Sequence, residues 1–559
     1  MTGSGRGRAG GLPFHVRAMR RLPARGRLEA VCEVAAEQRI AVPAGDGVPL
    51  LTDHYIPLAD GPFPTLLVRS PYGRGFPWGY VYGAQFAAQG FHVLLQSCRG
   101  TGGSGGTFDP WRQEVADGQA TVAWLREQEW FSGALGVIGT SYLGYTAWAL
   151  AAGAPRELRA MVADGSVVPH EFYYGTGAFA LQNALVGAVG LLYWARGPAA
   201  TAMALLRLRR QQGRVATTLP LTDAYPAALG GRSGLFDQWL ADPDPAGPYW
   251  SSQDLTAAAA NLAVPVSLVT GWDDVQLDQT LEQYRRCKEA GGDVRLIVGP
   301  WNHTSIFDKG YPEVFPRAVE EFRARLSAEP GSPAGPPVRV HVGGSGQWRD
   351  LAQWPPPQAR ARTWYLGADG VLGSQPPGQA GSSSFRYDPS DPTPSIGGPV
   401  LSGTAGSVDN IPLEARPDVL TFTTAPLPEA MEILGPVSVR LRIRASNPYH
   451  DVFARLCDVD PGGRSMNVCD GLVRHRPGDE PASETTVTVP MSSTAYQFSA
   501  GHRIRLQVSG GAHPRYARNT GTADPQATAT RLVPADIHIL HDSEAPSVLT
   551  LPAAELDAV

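Results

Sequence analysis

Two regimes of hydrophobic patterning divide this chain, and the division constrains its fold more than any other feature. Up to about residue 330, short apolar runs alternate with helical stretches. The runs are Thr65–Arg69, Phe91–Gln96, Leu135–Ile138, Leu158–Ala163, Val264–Thr270 and Val294–Val298. Helical segments at Tyr80–Gln89, Val115–Glu129 and Leu277–Ala290 lie among them, and Arg317–Leu326 closes the series. Runs without polar alternation, joined through helices, predict a mainly parallel sheet covered on both faces. Near the start, Gln38–Pro57 alternates around Ala44-Gly-Asp-Gly47, a hairpin signature. Beyond the Pro/Gly-rich linker Glu329–Pro337 helical periodicity disappears. Val338–Val342, Thr363–Leu366, Val437–Ile443, Thr485–Val489 and Ile504–Val508 read as strands between Gly/Pro/Asp turns, so 338–559 is expected to be an all-β sandwich of jelly-roll type.

The α/β regime is itself interrupted. Residues 165–263 are helical and irregular, an insertion between 38–164 and 264–330. Within it, Gly177–Ala195 approaches the length of a membrane span but carries Gln182, Asn183 and several glycines. A buried helix hairpin over an apolar pocket is the better reading, and no membrane partner is expected.

One strand-to-helix junction invites a chemical reading. Leu135-Gly-Val-Ile-Gly-Thr-Ser-Tyr-Leu-Gly144 is strand, tight turn and helix with Ser141 at the apex. Such an elbow lifts a serine Oγ above the sheet edge and sets the next N–H at a helix N-terminus. Read alone, a glycine-rich turn whose serine caps the helix fits equally well. An activated serine needs a base, and the base an orienting acid, each beyond a later strand. Val264–Thr270 ends in Gly271-Trp272-Asp273-Asp274, and Val294–Val298 ends in Gly299-Pro-Trp-Asn-His303. Either aspartate suits the acid. Of the twelve histidines, His303 stands directly beyond a late strand, whereas His170 precedes the acid and opens the insertion. The order Ser, Asp, His is that of α/β-hydrolases. For an oxyanion, the Tyr142 N–H is one donor. Tyr72, after the strand Thr65–Arg69, offers a hydroxyl or simply packs at a loop base.

These motifs resemble the cocaine-esterase and X-Pro dipeptidyl-peptidase family of serine hydrolases. The matching residues are Arg69-Ser-Pro-Tyr72, Cys98-Arg-Gly-Thr-Gly-Gly-Ser-Gly-Gly106, Gly139-Thr-Ser-Tyr-Leu-Gly144, Gly271-Trp-Asp-Asp274 and Gly299-Pro-Trp-Asn-His303. Gly501-His-Arg-Ile-Arg505 and Pro514-Arg515 to Asn519 extend the likeness, which runs from about 38 to 541. The resemblance implies an α/β-hydrolase domain with an inserted helical cap and a C-terminal jelly roll. It also implies Ser141 as nucleophile, Asp274 as acid, His303 as base, and Tyr72 hydroxyl with Tyr142 N–H as oxyanion hole. A homodimer is compatible with it.

Two departures bear on substrate. The family usually carries an aspartate two residues before its Arg-Gly pair, and this chain has Ser97-Cys98-Arg99-Gly100. Relatives acting on α-amino-acid esters hold the ammonium with carboxylates just after the acid, where this chain has Val275-Gln276-Leu277 before Asp278. A neutral ester or amide is therefore the expected substrate. An aminopeptidase or acylase of the X-Pro dipeptidyl-peptidase type, and a catalytically silent fold used for binding, are the alternatives. Phe172, Tyr173 and Trp194 in the cap, with Trp272 beside the acid, are candidates for the substrate pocket.

Composition closes off other classes. The 559 residues are 43% hydrophobic and 18% charged with net charge −5, which gives no footprint for nucleic acid. No metal or cofactor is required by the triad chemistry. The five cysteines lack metal spacing and read as reduced thiols, pointing to a cytoplasmic protein. Residues 1–37 read as a basic, disordered arm or an over-extended start, without a secretory apolar core.

Overall fold

The computed structural model describes residues 11–20, 28–327, 329–401, 404–476 and 484–554. Among the described residues ten strands form the catalytic sheet: β1 (Glu33–Pro43), β2 (Pro49–Leu58), β3 (Thr65–Ser70), β4 (His92–Ser97), β5 (Leu135–Thr140), β6 (Leu158–Asp164), β7 (Val266–Asp273), β8 (Val294–Asn302), β9 (Val338–Val342) and β10 (Gln347–Leu351). Their spatial order is β1-β2-β4-β3-β5-β6-β7-β8-β9-β10. β1 and β2 are the expected hairpin, antiparallel to each other and to β4. From β4 to β9 every neighbour is parallel.

The sheet is buried on both sides, as its uninterrupted apolar strands require. Leu66 and Val68 of β3 point into a core with Phe86, Phe91 and Phe322, while Leu67 points into the opposite core with Trp148, Leu281 and Tyr284. Helices Glu114–Leu125, Tyr142–Ala152, Leu277–Glu289 and Tyr311–Leu326 supply these covers.

Between β6 and β7 the chain leaves the sheet as the expected helical cap, from Pro169–Tyr174 to Thr256–Ala260. The apolar segment checked for membrane length is the helix Leu181–Tyr193, followed by a second long helix, Pro198–Thr217. No helix among the described residues is long and apolar enough to cross a membrane.

Two boundaries differ from the sequence reading. Val338–Val342 does not open the sandwich: it pairs in parallel with β8, and β10 folds back on it, so the hydrolase sheet runs on to residue 351. The alternation Val-Arg-Val-His-Val suits this place near the sheet's edge as well as it suits a sandwich strand. At the other end, part of 1–37 is ordered. Leu12, and Val16 of the helix Phe14–Arg20, are buried in the core that holds Trp78, and β1 starts at Glu33. Residues 1–10 and 21–27 lie outside the described residues.

The C-terminal part is a jelly-roll sandwich of antiparallel strands. Among the described residues, seven strands form a sheet around the long strand Met431–Ala445, and four form the facing sheet: Val419–Thr423, Arg503–Ser509, His450–Val459 and Ser465–His475. Its core is aliphatic, with Val439, Leu441, Leu456, Leu506 and Ile539 fully buried. The sandwich also grips the cap: Ala517 N–H donates to Phe179 C=O, and Asn183 Oδ1 accepts from Leu401 N–H. The five cysteines are free thiols.

Candidate active site

The carboxyl ends of β3, β5, β6, β7 and β8 converge below the cap, where a parallel sheet presents its functional side chains. Ser141 follows β5 with φ 65° and ψ −128°, a conformation that costs a non-glycine residue about 1–3 kcal/mol. Close packing around the elbow explains its glycines. A Cβ on Gly139 would stand 2.2 Å from Leu143 O, and one on Gly144 2.1 Å from Asp164 O. Ser141 N–H donates to Asp164 C=O at 2.6 Å, which ties the turn to the end of β6.

His303 leaves the end of β8 and Asp274 the end of β7. The ring Nδ1–H donates to Asp274 Oδ1 at 2.9 Å, which leaves Nε2 as the basic nitrogen. Asp274 is buried, and its Oδ1 also accepts from Gln276 N–H at 2.8 Å. Of the two aspartates, the histidine is on Asp274. Asp273 is held up at about 6 by burial and by the charges of Asp470 and Asp274. For His303 burial favours the neutral ring, but the charge and hydrogen bond of Asp274, with the charge of Asp164, outweigh it and raise the pKa to about 9.

Tyr72 projects from the loop after β3, and its phenol faces the same cavity as Ser141. Burial pushes the phenol up to about 12, so it keeps its proton and can donate. Gly190 in the cap helix lies beside it: a Cβ there would stand 3.7 Å from the Tyr72 ring, an ordinary contact. Tyr142 is the first residue of the helix Tyr142–Ala152, so its N–H has no acceptor within the helix. Its side chain anchors the elbow from below, donating to Glu114 Oε1 at 2.8 Å and accepting from Trp111 N–H at 2.7 Å. Glu114 in turn pairs with the buried Arg69 at 2.8 Å.

Ser141, His303 and Tyr72 face one cavity of about 160 Å³. Phe172, Tyr173 and Trp194 line it as expected, and among the described residues no carboxylate does. Trp272 does not reach it. Its indole N–H donates to His341 C=O and its ring packs on Trp354, so it fastens β7 to the β9–β10 extension. The sequence reading missed Trp111, Gly187, Gly190, Gln276 and Leu401 as lining residues. The glycines stand at helical spacing on one face of Leu181–Tyr193, a signal that was legible. Leu401 arrives from the sandwich, and nothing local announces it.

Asp164 was also missed. One oxygen each of Asp164 and Asp274 and one ring nitrogen of His303 lie within 4.8 Å of one another. Asp164 is buried, with Thr280 Oγ1 at 3.4 Å from Oδ1. Burial, then the Asp274 charge, drive its pKa up. The Ser97-Cys98-Arg99 departure is absorbed locally. Arg99 forks between Asp46 and Asp117, and Ser97 Oγ accepts from Arg74, which also pairs with Asp53.

A serine elbow opening on a cavity, an imidazole on a carboxylate and a cap over a parallel sheet define an α/β-hydrolase. The comparisons carry this further. The X-Pro dipeptidyl-peptidase (S15 family) profile matches residues 46–305, and that of the X-Pro dipeptidyl-peptidase C-terminal non-catalytic domain matches 332–550. Cocaine esterase from Rhodococcus sp. (strain MB1 Bresler) is 33% identical over 531 residues, covering 86% of this chain and 92% of that protein. The chain belongs to this family of hydrolases. Among solved structures, an aminopeptidase from a marine sediment Thaumarchaeota archaeon superposes with TM-score 0.79 at 22% identity, covering 96% of this chain and 99% of that one. An α-amino acid ester hydrolase superposes with TM-score 0.73 at 21% identity, covering 94% and 97%. At these identities the two show the shared fold.

Proposed function

We propose that this chain is a serine carboxylesterase for small neutral esters, working through an acyl-enzyme. The observation that carries the reading is the His303–Asp274 hydrogen bond at the wall of the cavity that also holds Ser141 and the Tyr72 hydroxyl.

Ser141 Oγ attacks the ester carbonyl carbon while His303 Nε2 takes its proton. Asp274 holds the ring tautomer and balances the imidazolium. The carbonyl oxygen becomes an oxyanion and accepts from Tyr72 O–H and Tyr142 N–H. Collapse breaks the bond to the alkoxy oxygen, which leaves as the alcohol with the proton from His303. Water, deprotonated by His303, then attacks the acyl carbon and returns Ser141 and the carboxylic acid.

Cavity size and lining speak to the substrate. About 160 Å³ accommodates roughly one aromatic ring. Its walls are mostly aromatic and aliphatic, suited to an uncharged acyl group. Recognition of a free amine would call on Glu171 or Asp278. These face a separate cavity of about 450 Å³ on the far side of Phe172 and Tyr173. The cocaine esterase relative is an esterase by name, in line with this reading.

Turnover of p-nitrophenyl butyrate by the wild type and the Ser141→Ala variant tests the proposal. A loss of about a thousandfold or more is expected. Full turnover by the Ala variant sinks the mechanism, and a preference for aminoacyl-proline anilides over the butyrate sinks the substrate class.

A further inference from the structure

The catalytic cavity shares a wall with a larger depression on the surface. The two have Tyr72 and Trp194 in common. The depression, of about 850 Å³, is floored by the loop 73–77 and edged by the helices Phe14–Arg20 and Pro198–Thr217. Its lining exposes several large apolar side chains: Phe14 is 79% exposed, Phe76 52% and Leu205 42%, with Pro13, Pro77 and Pro198 between them. Exposed aliphatic and aromatic side chains gathered around one hollow mark a place that takes an apolar ligand. Its polar edge holds Gln38 and Arg39, with Arg74 and Asp53 paired with each other.

The two shared residues are not equivalent. Tyr72 carries the hydroxyl that the esterase reading assigns to the oxyanion, which fixes its place in the cavity. Trp194 carries no such role. It sits in the short turn Trp194–Arg196 that joins the two long cap helices, its ring 5.6 Å from Tyr72 and 5.7 Å from Trp78, centroid to centroid. An indole in that place closes the cavity on the side where the depression lies. Gly187 and Gly190, on the preceding helix, leave the space in front of it empty.

We propose that Trp194 is the specificity-determining partition of this esterase, capping the length of the substrate's apolar arm, and that the depression behind it is the subsite a longer alkyl arm enters when the partition is removed. The proposal rests on the esterase reading and adds the class of ligand: an unbranched alkyl chain on one side of the ester bond. Closing the catalytic cavity at about 160 Å³ restricts the wild type to short or single-ring arms. Opening it toward Phe14, Phe76 and Leu205 gives each further methylene an apolar contact in place of a clash.

Two substrate series read the effect, p-nitrophenyl alkanoates from acetate to decanoate and alkyl butyrates from methyl to octyl. In one of them Trp194→Ala is expected to raise the ratio of kcat/KM for the eight-carbon to the four-carbon arm by about tenfold or more over wild type. Filling the depression in the same background, with Trp194→Ala/Ala202→Trp, is expected to take the gain away. That outcome separates passage into the depression from a general loosening of the cap. Should the Ala variant fold poorly, Trp194→Leu opens the partition partway and shifts the ratio in the same direction. A folded, active variant whose ratios match wild type in both series overturns the proposal, as does a gain that survives Ala202→Trp. Absence of Ser141-dependent ester turnover in the wild type overturns the esterase reading beneath it, a distinct result.

Discussion

Asp164 and Asp274 stand at the ends of neighbouring strands, each with one carboxyl oxygen within 4.8 Å of the other and of a ring nitrogen of His303. Among the described residues, neither Asp164 Oδ2 nor Asp274 Oδ2 has a hydrogen-bond partner. Two buried carboxylates so close do not both ionise, and the one without a cation or N–H donors keeps its proton. Asp274 has the histidine and the Gln276 N–H, whereas Asp164 has the Thr280 hydroxyl. Asp164 is thus placed as a neutral acid beside the triad carboxylate, able to turn its O–H toward it. Asp164→Asn, which keeps a neutral donor, is expected to hold kcat/KM within about threefold, while Asp164→Leu leaves the buried Asp274 carboxylate facing an apolar side chain and costs about tenfold or more in kcat. An Asn variant as impaired as the Leu variant, with its pH profile moved to lower pH, would show instead that Asp164 acts as a charge.

The histidine fixes how activity should follow pH. The charge and hydrogen bond of Asp274 overcome the effect of burial on His303 and raise its pKa toward about 9. A neutral Asp164 adds no charge to that sum, which moves the base lower. His303 must be unprotonated to accept the Ser141 proton, so kcat/KM should climb with pH as one proton is lost and level off by about pH 9. Stability runs the other way. A folded pKa raised above 6.5 contributes stability that is complete below that value and lost as pH rises through about 9. A pH–rate profile already flat from pH 6 would contradict the assignment of His303 as base.

Tyr72 offers a cleaner separation of binding from chemistry. Its ring packs between Trp78 and Trp194, and Phe keeps that packing while removing the donor. The oxyanion exists only along the reaction path, so the loss should fall on kcat. Tyr72→Phe is expected to lower kcat by about a hundredfold or more and to leave KM near wild type. An effect confined to KM would make Tyr72 a wall residue only.

Much of this was legible because the catalytic strands are short apolar runs whose ends can be counted. Once Leu135–Ile138, Val264–Thr270 and Val294–Val298 are strands, Ser141, Asp274 and His303 fall at carboxyl ends, where a parallel sheet gathers its chemistry. What stayed hidden depended on contacts between distant segments. Val338–Val342 alternates like a sandwich strand, and its membership of the large sheet is decided by hydrogen bonds to β8 across the intervening helix Tyr311–Leu326 and the linker. Trp272 lies two residues before Asp274, yet its indole bonds His341 and packs on Trp354, contacts that exist only once the β9–β10 extension is in place. Asp164 looks like any polar residue closing a strand until β6 and β7 are seen side by side.

A second histidine pair, far from the chemistry, bears on acid stability. His54 Nε2 and His92 Nδ1 are 2.9 Å apart across β2 and β4, and His54 stacks on Trp130 with ring centroids 4.1 Å apart. Burial lowers His54 to about 3, with the His92 charge adding to it, and burial lowers His92 to about 4. Both rings are neutral in the fold and take up protons near 6.5 when it is lost. Their contribution is whole above about pH 6.5 and drains away as pH falls toward 4, with a slope approaching two protons. Denaturant titrations at pH 7 and pH 4.5 measure it. His54→Leu/His92→Leu should flatten that slope, and an unchanged slope would place the acid sensitivity elsewhere.

Ser141 itself should be a residue kept against stability. Its φ of 65° and ψ of −128° suit glycine, and the close contacts of Gly139, Gly144 and Gly165 with the elbow leave the turn no room to relax. Ser141→Gly removes a strain of about 1–3 kcal/mol and adds an entropic cost of about 0.5–1 kcal/mol, for a net gain of about 1 kcal/mol. Ser141→Ala is the necessary companion. It removes the hydroxyl but keeps the Cβ that the turn opposes, so it should gain less. Both variants should be without esterase activity, and thermal unfolding should rank Gly above Ala and above wild type. If Gly and Ala unfold together, the elbow holds no strain and its glycines serve packing alone.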